Sequence, residues 1–252
     1  MDVIICKDPA EVGRTAARRV MEILRRTSQP VLGVATGSSP LDLYHELARA
    51  VGAGEVDLSN LSCFALDEYI GLEPNDPNSY ADTIRQTVTE PLHLDPARVH
   101  VPRGIGEDLD QGCRDYEEAI RVAGGVDVQI LGIGANGHLG FNEPGSSFGG
   151  RTHLQRLTEQ TREDNQRFFG DRDVPTHCVT QGLGTIMDAR HLVLVAMGEN
   201  KADAIAAACE GPVTAMCPAS ILQFHPDAWV VVDRAAASKL HHHWVEPVGV
   251  TQ

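Results

Sequence analysis

The sequence is short of positive charge, aromatic residues and paired cysteines. Among 252 residues, 21 Lys plus Arg stand against 35 Asp plus Glu, a formal net charge of −14, and aromatic residues make up 5%. A field of that sign repels nucleic-acid phosphates and anionic membrane surfaces, and no Lys/Arg block offsets it, so no nucleic acid and no membrane is expected as a partner. Cys6, Cys63, Cys113, Cys178, Cys209 and Cys217 form no C-x-x-C pair and no regular spacing, the usage of a reduced, cytoplasmic chain. The apolar surroundings of Cys6, Cys63 and Cys209 make these three small buried hydrophobes. No apolar run approaches the roughly 20 residues of a spanning helix. The opening M-D-V-I-I-C-K-D-P has neither a charged n-region nor a long h-region, so a signal peptide is not expected.

What is present suffices for a sizeable core: 42% hydrophobic residues, with 24 Gly and 14 Pro as punctuation. Short apolar runs (Val3–Cys6, Pro30–Ala35, Leu61–Leu66, Val99–Pro102, Val126–Ile133, His191–Met197, Ala228–Val232) alternate with segments of helical period (Glu11–Arg26, Leu41–Val51, Cys113–Val122, Lys201–Cys209). This alternation predicts an α/β fold, a three-layer, Rossmann-like arrangement of a mostly parallel sheet with helices on both faces, in a single domain over residues 1–252. One polar stretch, Thr158–Thr176, departs from the alternation and reads either as a solvated surface helix or as a functional insertion. The tail His241-His242-His243-Trp244 reads as a surface feature without chemistry. Parallel sheets place ligands beyond the carboxyl ends of their strands, which directs attention to the loops there.

Three of these loops carry polar groups. In G-V-A-T-G-S-S-P-L-D-L-Y, Gly33–Tyr44, an apolar strand runs into Thr36, Gly37, Ser38 and Ser39, and Pro40 opens a helix. The exposed N–H groups of a helix start beside three hydroxyls suit a phosphate, although a capped helix without ligand fits too. The absent Gly-Lys pair excludes a Walker loop. In F-A-L-D-E-Y-I-G-L, Phe64–Leu72, Asp67 and Glu68 stand where a strand ends. Successive residues in extended chain point to opposite sides, so at most one of them faces a site and the other can cap a turn. In L-G-I-G-A-N-G-H-L-G-F-N-E-P-G-S-S, Leu131–Ser147, Gly132, Gly134 and Gly137 match G-x-G-x-x-G. A dinucleotide site is nevertheless rejected, because Gly140, Pro144 and Gly145 interrupt any helix and no strand-end acid follows about 20 residues on. Asn136, His138 and Glu143 cluster there instead, an imidazole with a nearby carboxylate that suits proton transfer at neutral pH. The absence of H-x-x-x-H, H-E-x-x-H and paired Cys makes a metal improbable.

Together these loops resemble the glucosamine-6-phosphate deaminase family, through A-T-G-S-S-P-L-D-L-Y, L-D-E-Y-I-G-L-E-P-N-D-P-N-S-Y, G-A-N-G-H-L-G-F-N-E-P-G-S-S-F, T-E-Q-T-R-E-D-N-Q-R-F-F and M-G-E-N-K-A. The likeness spans Val3 to Asp233. It implies a sugar-phosphate isomerase-deaminase fold and the conversion of glucosamine 6-phosphate and water to fructose 6-phosphate and ammonia, with no metal or organic cofactor. By the same resemblance Asp67 is the base that moves a proton between C2 and C1. His138 opens the pyranose ring, assisted by Glu143 and Asn136. Thr36, Gly37, Ser38, Ser39, Arg167 and Lys201 hold the phosphate; that role of Arg167, with the polar composition around it, makes residues 157–179 the expected mobile lid. The expected partner is a small amino-sugar phosphate, and the family's hexameric members admit an oligomer.

Two departures bear on these expectations. Asn136 stands where some members carry Asp, which implies an altered pH dependence. His153 and Gln155 stand where regulated members carry basic residues for an effector phosphate, which implies no strong activation by N-acetylglucosamine 6-phosphate. Competing readings are a deaminase of another amino-sugar phosphate, a 6-phosphogluconolactonase, and the sugar-phosphate-binding effector module of a transcription regulator. The lactonase is opposed by Tyr69 after Asp67-Glu68, where an Arg is expected, and by the F-N-E-P run. The regulator is opposed by the net charge and by a first strand that starts at about Val3 with no DNA-binding segment ahead of it.

Overall fold

The computed structural model describes residues 1–242 and 244; His243, in the histidine tail, lies outside the described residues. In chain order the strands are β1 (Asp2–Cys6), β2 (Val31–Val34), β3 (Ser62–Ala65), β4 (Asp67–Tyr69), β5 (Val99–His100), β6 (Val128–Leu131), β7 (His153–Arg156), β8 (His177–Thr180), β9 (His191–Ala196) and β10 (Ala228–Asp233). The α-helices are α1 (Pro9–Leu24), α2 (Leu41–Gly52), α3 (Tyr80–Ile84), α4 (Leu109–Val122), α5 (Glu159–Phe169), α6 (Leu183–Met187) and α7 (Ala202–Cys209).

Seven strands form one sheet in the order β1-β10-β9-β6-β2-β3-β5, and every pairing in it is parallel. The central strands β2 and β6 are buried at every residue, as a parallel sheet covered by helices requires. Helix α1 starts at the Asp8 cap, whose carboxylate accepts from Glu11 N at 2.8 Å, with Pro9 in the first turn. It buries Val12, Ala16, Val20 and Leu24, a four-residue step that keeps one stripe against the core. No described helix is long and apolar enough to cross a membrane.

The α/β expectation describes the large sheet, and a second sheet adds to it. Strands β4, β8 and β7 pair antiparallel in that order. Its members are short and carry polar residues, D-E-Y, H-C-V-T and H-L-Q-R, so neither apolar runs nor strict alternation announce them. Over it lies a separate apolar cluster of Tyr69, Phe141, Leu157, Phe169, Val174 and Cys178. Much of the polar stretch Thr158–Thr176 is α5, capped by the Thr158 hydroxyl, and the helix buries only Thr161 and Phe169. His153 and Gln155 lie on β7, where His153 Nδ1 bonds Arg151 O at 2.8 Å and its Nε2 meets Gln155 Oε1 at 3.3 Å.

The topology sets the position of the site. The chain leaves β2 toward β3 on one side and leaves β6 toward β9 on the other, so the crevice between β2 and β6 is a switch point of the sheet. The three loops singled out above follow β2, β3 and β6, and the segment holding Lys201 follows β9. These four strands are consecutive in the sheet.

Candidate active site

A cavity of about 640 Å³ opens above those strand ends. Thr36, Gly37, Ser38, Ser39, Asp67, His138, Arg167 and Lys201 all line it. Asn136 and Glu143 do not reach its wall; they stand behind His138.

At one end the chain turns from β2 into α2 through Gly37, whose φ of +90° only glycine adopts freely. Pro40 is the residue before the helix, and no side chain caps it. The turn is held from beneath by the buried Tyr44 hydroxyl, which accepts from Ala35 N at 3.0 Å and donates to Ala35 O at 2.8 Å. Lys201 comes from the turn before α7 and donates to Ile133 O at 2.8 Å. Burial pulls its pKa below the ordinary lysine value. Arg167, on α5, is exposed and lies with its guanidinium 4.6 Å over the Phe168 ring. Of the other two arginines of that stretch, Arg162 bonds Val174 O at 3.3 Å and Arg172 pairs with Asp76 at 2.7 Å.

On the floor, Asp67 and Glu68 begin β4 and diverge. Glu68 turns away and accepts from Tyr69 N at 2.8 Å, Tyr80 N at 2.9 Å and Ala81 N at 2.8 Å. It thereby satisfies first-turn N–H groups of α3. Asp67 faces the cavity, 4% exposed, and among the described residues no donor reaches its carboxylate. Burial, aided by the negative Glu68, pushes its pKa up to about 8.

At the other end, His138 sits under a close backbone approach. A Cβ on Gly134 would lie 2.2 Å from the imidazole Cε1, so the glycine makes room for the ring. Among the described residues its Nδ1 has no hydrogen-bond partner, and it lies 3.8 Å from Glu143 Oε2. Burial lowers the His138 pKa, partly opposed by Glu143, which keeps the ring neutral near pH 7. Glu143 is buried too, yet its pKa is held below the ordinary range: burial alone would raise it, and hydrogen bonds from Thr161 and Asn136 together with the neighbouring His138 outweigh that effect. Thr161 Oγ1 donates to Glu143 Oε1 at 2.6 Å, and Asn136 Nδ2 to Oε2 at 2.8 Å. Asn136 Oδ1 accepts from His138 N at 3.1 Å. Asn136 therefore orients the loop and the carboxylate and does not touch the imidazole through a polar bond.

Sequence reasoning missed the aromatic wall. Tyr69 and Tyr80 join hydroxyl to hydroxyl at 3.2 Å, Phe141 stacks on Tyr80 with centroids 5.9 Å apart, and Phe169 meets Tyr69 edge-on at 5.3 Å. All four line the cavity. Thr161 and Asp164 were missed as well; their spacing from Arg167 on one helix was the available signal. Among the described residues, no three His, Cys, Asp or Glu side chains converge to hold a metal ion. The cavity thus brings together two cations, a turn rich in N–H and hydroxyl groups, a buried carboxylate without a donor among the described residues, and an imidazole backed by a carboxylate.

Known proteins match along nearly the whole chain. The family model for glucosamine-6-phosphate isomerases/6-phosphogluconolactonase matches residues 7–231. A glucosamine-6-phosphate deaminase of Cutibacterium acnes is 62% identical over 241 residues, covering 95% of this chain and 92% of the relative. One of an Arthrobacter species is 53% identical, covering 95% and 93%. Among solved structures, a monomeric glucosamine-6-phosphate deaminase superposes with a TM-score of 0.92 at 38% identity, covering 95% of this chain and 100% of that one. The 6-phosphogluconolactonase of Trypanosoma cruzi reaches 0.77 at 18% identity, covering 96% and 97%, a likeness of fold alone.

Proposed function

From the premise that the chain belongs to the glucosamine-6-phosphate isomerase/6-phosphogluconolactonase family, we propose that the cavity takes glucosamine 6-phosphate with its phosphate between the Thr36–Ser39 turn, Arg167 and Lys201. The enzyme converts that substrate and water to fructose 6-phosphate and ammonia. The observation that carries the assignment of roles is Asp67, a buried carboxylate without a donor among the described residues, in a cavity that also holds two cations and an imidazole.

The sugar is a closed hemiacetal, and its C2 proton becomes acidic only when C1 is an aldehyde. Neutral His138 takes the proton of the C1 hydroxyl and delivers it to the ring oxygen as the C1–O5 bond breaks. Glu143, held by Thr161 and Asn136, stabilises the imidazolium that forms transiently. Ionised Asp67 then removes the C2 proton while the carbonyl oxygen takes one from the substrate's ammonium group, leaving an enolamine, and Asp67 returns its proton to C1. The resulting C2 iminium adds water and releases ammonia. This route uses no metal and no organic cofactor. The same reading gives a cytoplasmic enzyme without nucleic-acid or membrane partners.

A 6-phosphogluconolactonase does not fit as well. Tyr69 follows the Asp-Glu pair, and the Asn-Glu of F-N-E-P is built into the site: Asn142 Nδ2 ties the loop to Gln181 O at 2.7 Å, and Glu143 backs His138. A coupled assay for ammonia and fructose 6-phosphate tests the function; no turnover of glucosamine 6-phosphate refutes it.

Two consequences can be measured. Arg167→Met or Lys201→Met should raise KM about 10- to 100-fold with a smaller change in kcat, since each removes a charge-assisted contact to phosphate, and few other cations line the cavity to compensate. In the same reading, residues 157–179 close over the substrate as a lid. Its helix α5 carries Arg167 and is tied at its start to Glu143 through Thr158 and Thr161. A substrate analogue should therefore protect this segment from proteolysis; equal cleavage with and without it counts against closure.

A further inference from the structure

Helix α5 turns one more charged residue to the cavity than the reaction above uses. Thr161, Asp164 and Arg167 all line the cavity, and their three-residue spacing makes them one ridge with about 4.5 Å of rise between neighbours. Each end of the ridge has a place in the site. Thr161 is bonded to Glu143 behind His138, and Arg167 shares the cationic end with Lys201. Asp164 stands between them.

Its setting is that of an unfilled acceptor. Asp164 is exposed, and its one polar partner among the described residues is Gln160 Nε2 at 3.1 Å. It makes no ion pair within 4.0 Å among the described residues, yet its charge acts on both His138 and Lys201, favouring the protonated form of each. It thus lies within electrostatic reach of the imidazole and of the lysine ammonium alike. A carboxylate in this position works against a bound phosphate unless it makes a direct contact that offsets the repulsion.

Resting on the reading that glucosamine 6-phosphate is the substrate, we infer that Asp164 accepts hydrogen bonds from the hydroxyls at C3 and C4 and so fixes the middle of the sugar chain. The phosphate on C6 belongs to Arg167 and Lys201, and C1, C2 and the ring oxygen belong to Asp67 and His138. The C3 and C4 hydroxyls are the donors left over, and Asp164 is the acceptor on the cavity wall that the other roles leave free.

The test compares Asp164→Ala and Asp164→Asn with the wild type in the coupled assay, alongside inhibition by inorganic phosphate, which reports the cationic end alone. Loss of a hydroxyl-to-carboxylate bond should lower kcat/KM about tenfold or more in the Ala variant, while inhibition by inorganic phosphate, which makes no such bond, does not weaken. The Asn variant, which keeps one acceptor oxygen, should lie between. A fall of less than about fivefold in the Ala variant overturns the inference, as does an Asn variant no better than Ala. Tighter binding of substrate and phosphate together would show a repulsive charge instead, and also overturns it. Failure of the wild type to turn over glucosamine 6-phosphate sinks the functional reading itself, an outcome separable from all of these.

Discussion

Replacing Asp67 by Asn is expected to cut kcat for glucosamine 6-phosphate by about 10³-fold and, at pH 8.5, to raise the melting temperature. Both effects come from one feature, a carboxylate buried to 4% exposure with no donor among the described residues. Proton transfer between C2 and C1 needs a base on the cavity floor, and the other carboxylate of the pair is committed to three backbone N–H groups. An amide cannot take that proton.

The same burial raises the Asp67 pKa from 3.8 to about 8. In the unfolded chain the group ionises near its ordinary value, so between the two values the folded state holds the extra proton. Stability is therefore lost progressively as pH rises through this window, and the cost is complete above about 8. Removing the ionisable group removes the cost. Allowing for relaxation around the buried charge, the gain should be about 2 kcal/mol, roughly 4–8 °C in Tm at pH 8.5 for a chain of this size, with almost none at pH 4. Calorimetry across that range checks the sign. In the wild type, kcat/KM reports the free enzyme and should fall about tenfold per pH unit on the acid side of about 8. Undiminished turnover in the Asn variant removes Asp67 from the reaction. A less stable variant at pH 8.5 removes the strain account. An active site that costs stability where it does chemistry is the usual trade between the two.

Where these residues fall along the chain could be read because strand period and loop position are local properties. The runs ending near Ala35, Leu66, Ile133 and Met197 give the ends of β2, β3, β6 and β9, and a parallel sheet brings such ends to one edge. That these four strands are neighbours, with the switch between β2 and β6, is set by pairings between residues far apart in sequence. The choice between Asp67 and Glu68 was half legible: alternation separates them, but the residue that turns inward depends on β4 pairing with β8 over 100 residues away. Helical spacing could have placed Thr161 on the face of Arg167, but its bond to Glu143 and the cavity positions of Tyr80 and Phe141 were invisible for the same reason. The Thr161 hydroxyl matters because it meets Glu143, 18 residues earlier, and a threonine in a polar helix carries no mark of that contact.

His138→Asn should lower kcat about 10²-fold or more, and the form of the residual activity should separate this variant from Asp67→Asn. The imidazole is kept neutral near pH 7 by burial, with Nδ1 lacking a partner among the described residues and 3.8 Å from Glu143 Oε2. A small rotation closes that gap once the ring takes up a proton, so the pair is poised to accept the C1 hydroxyl proton as the hemiacetal opens. Without the ring, opening falls to the spontaneous rate in water, yet the open aldehyde that forms can still reach an intact Asp67. Residual turnover in His138→Asn should therefore level off as enzyme concentration rises, because supply of open chain becomes limiting. In Asp67→Asn the residual rate should stay proportional to enzyme, because the step after opening is the slow one. Gly134→Ala gives an independent check: its Cβ would fall 2.2 Å from Cε1 of the imidazole, so it displaces the ring without changing it and should reproduce the levelling. A His138→Asn rate within about threefold of wild type, or strict proportionality to enzyme in both His138→Asn and Gly134→Ala, would place ring opening elsewhere.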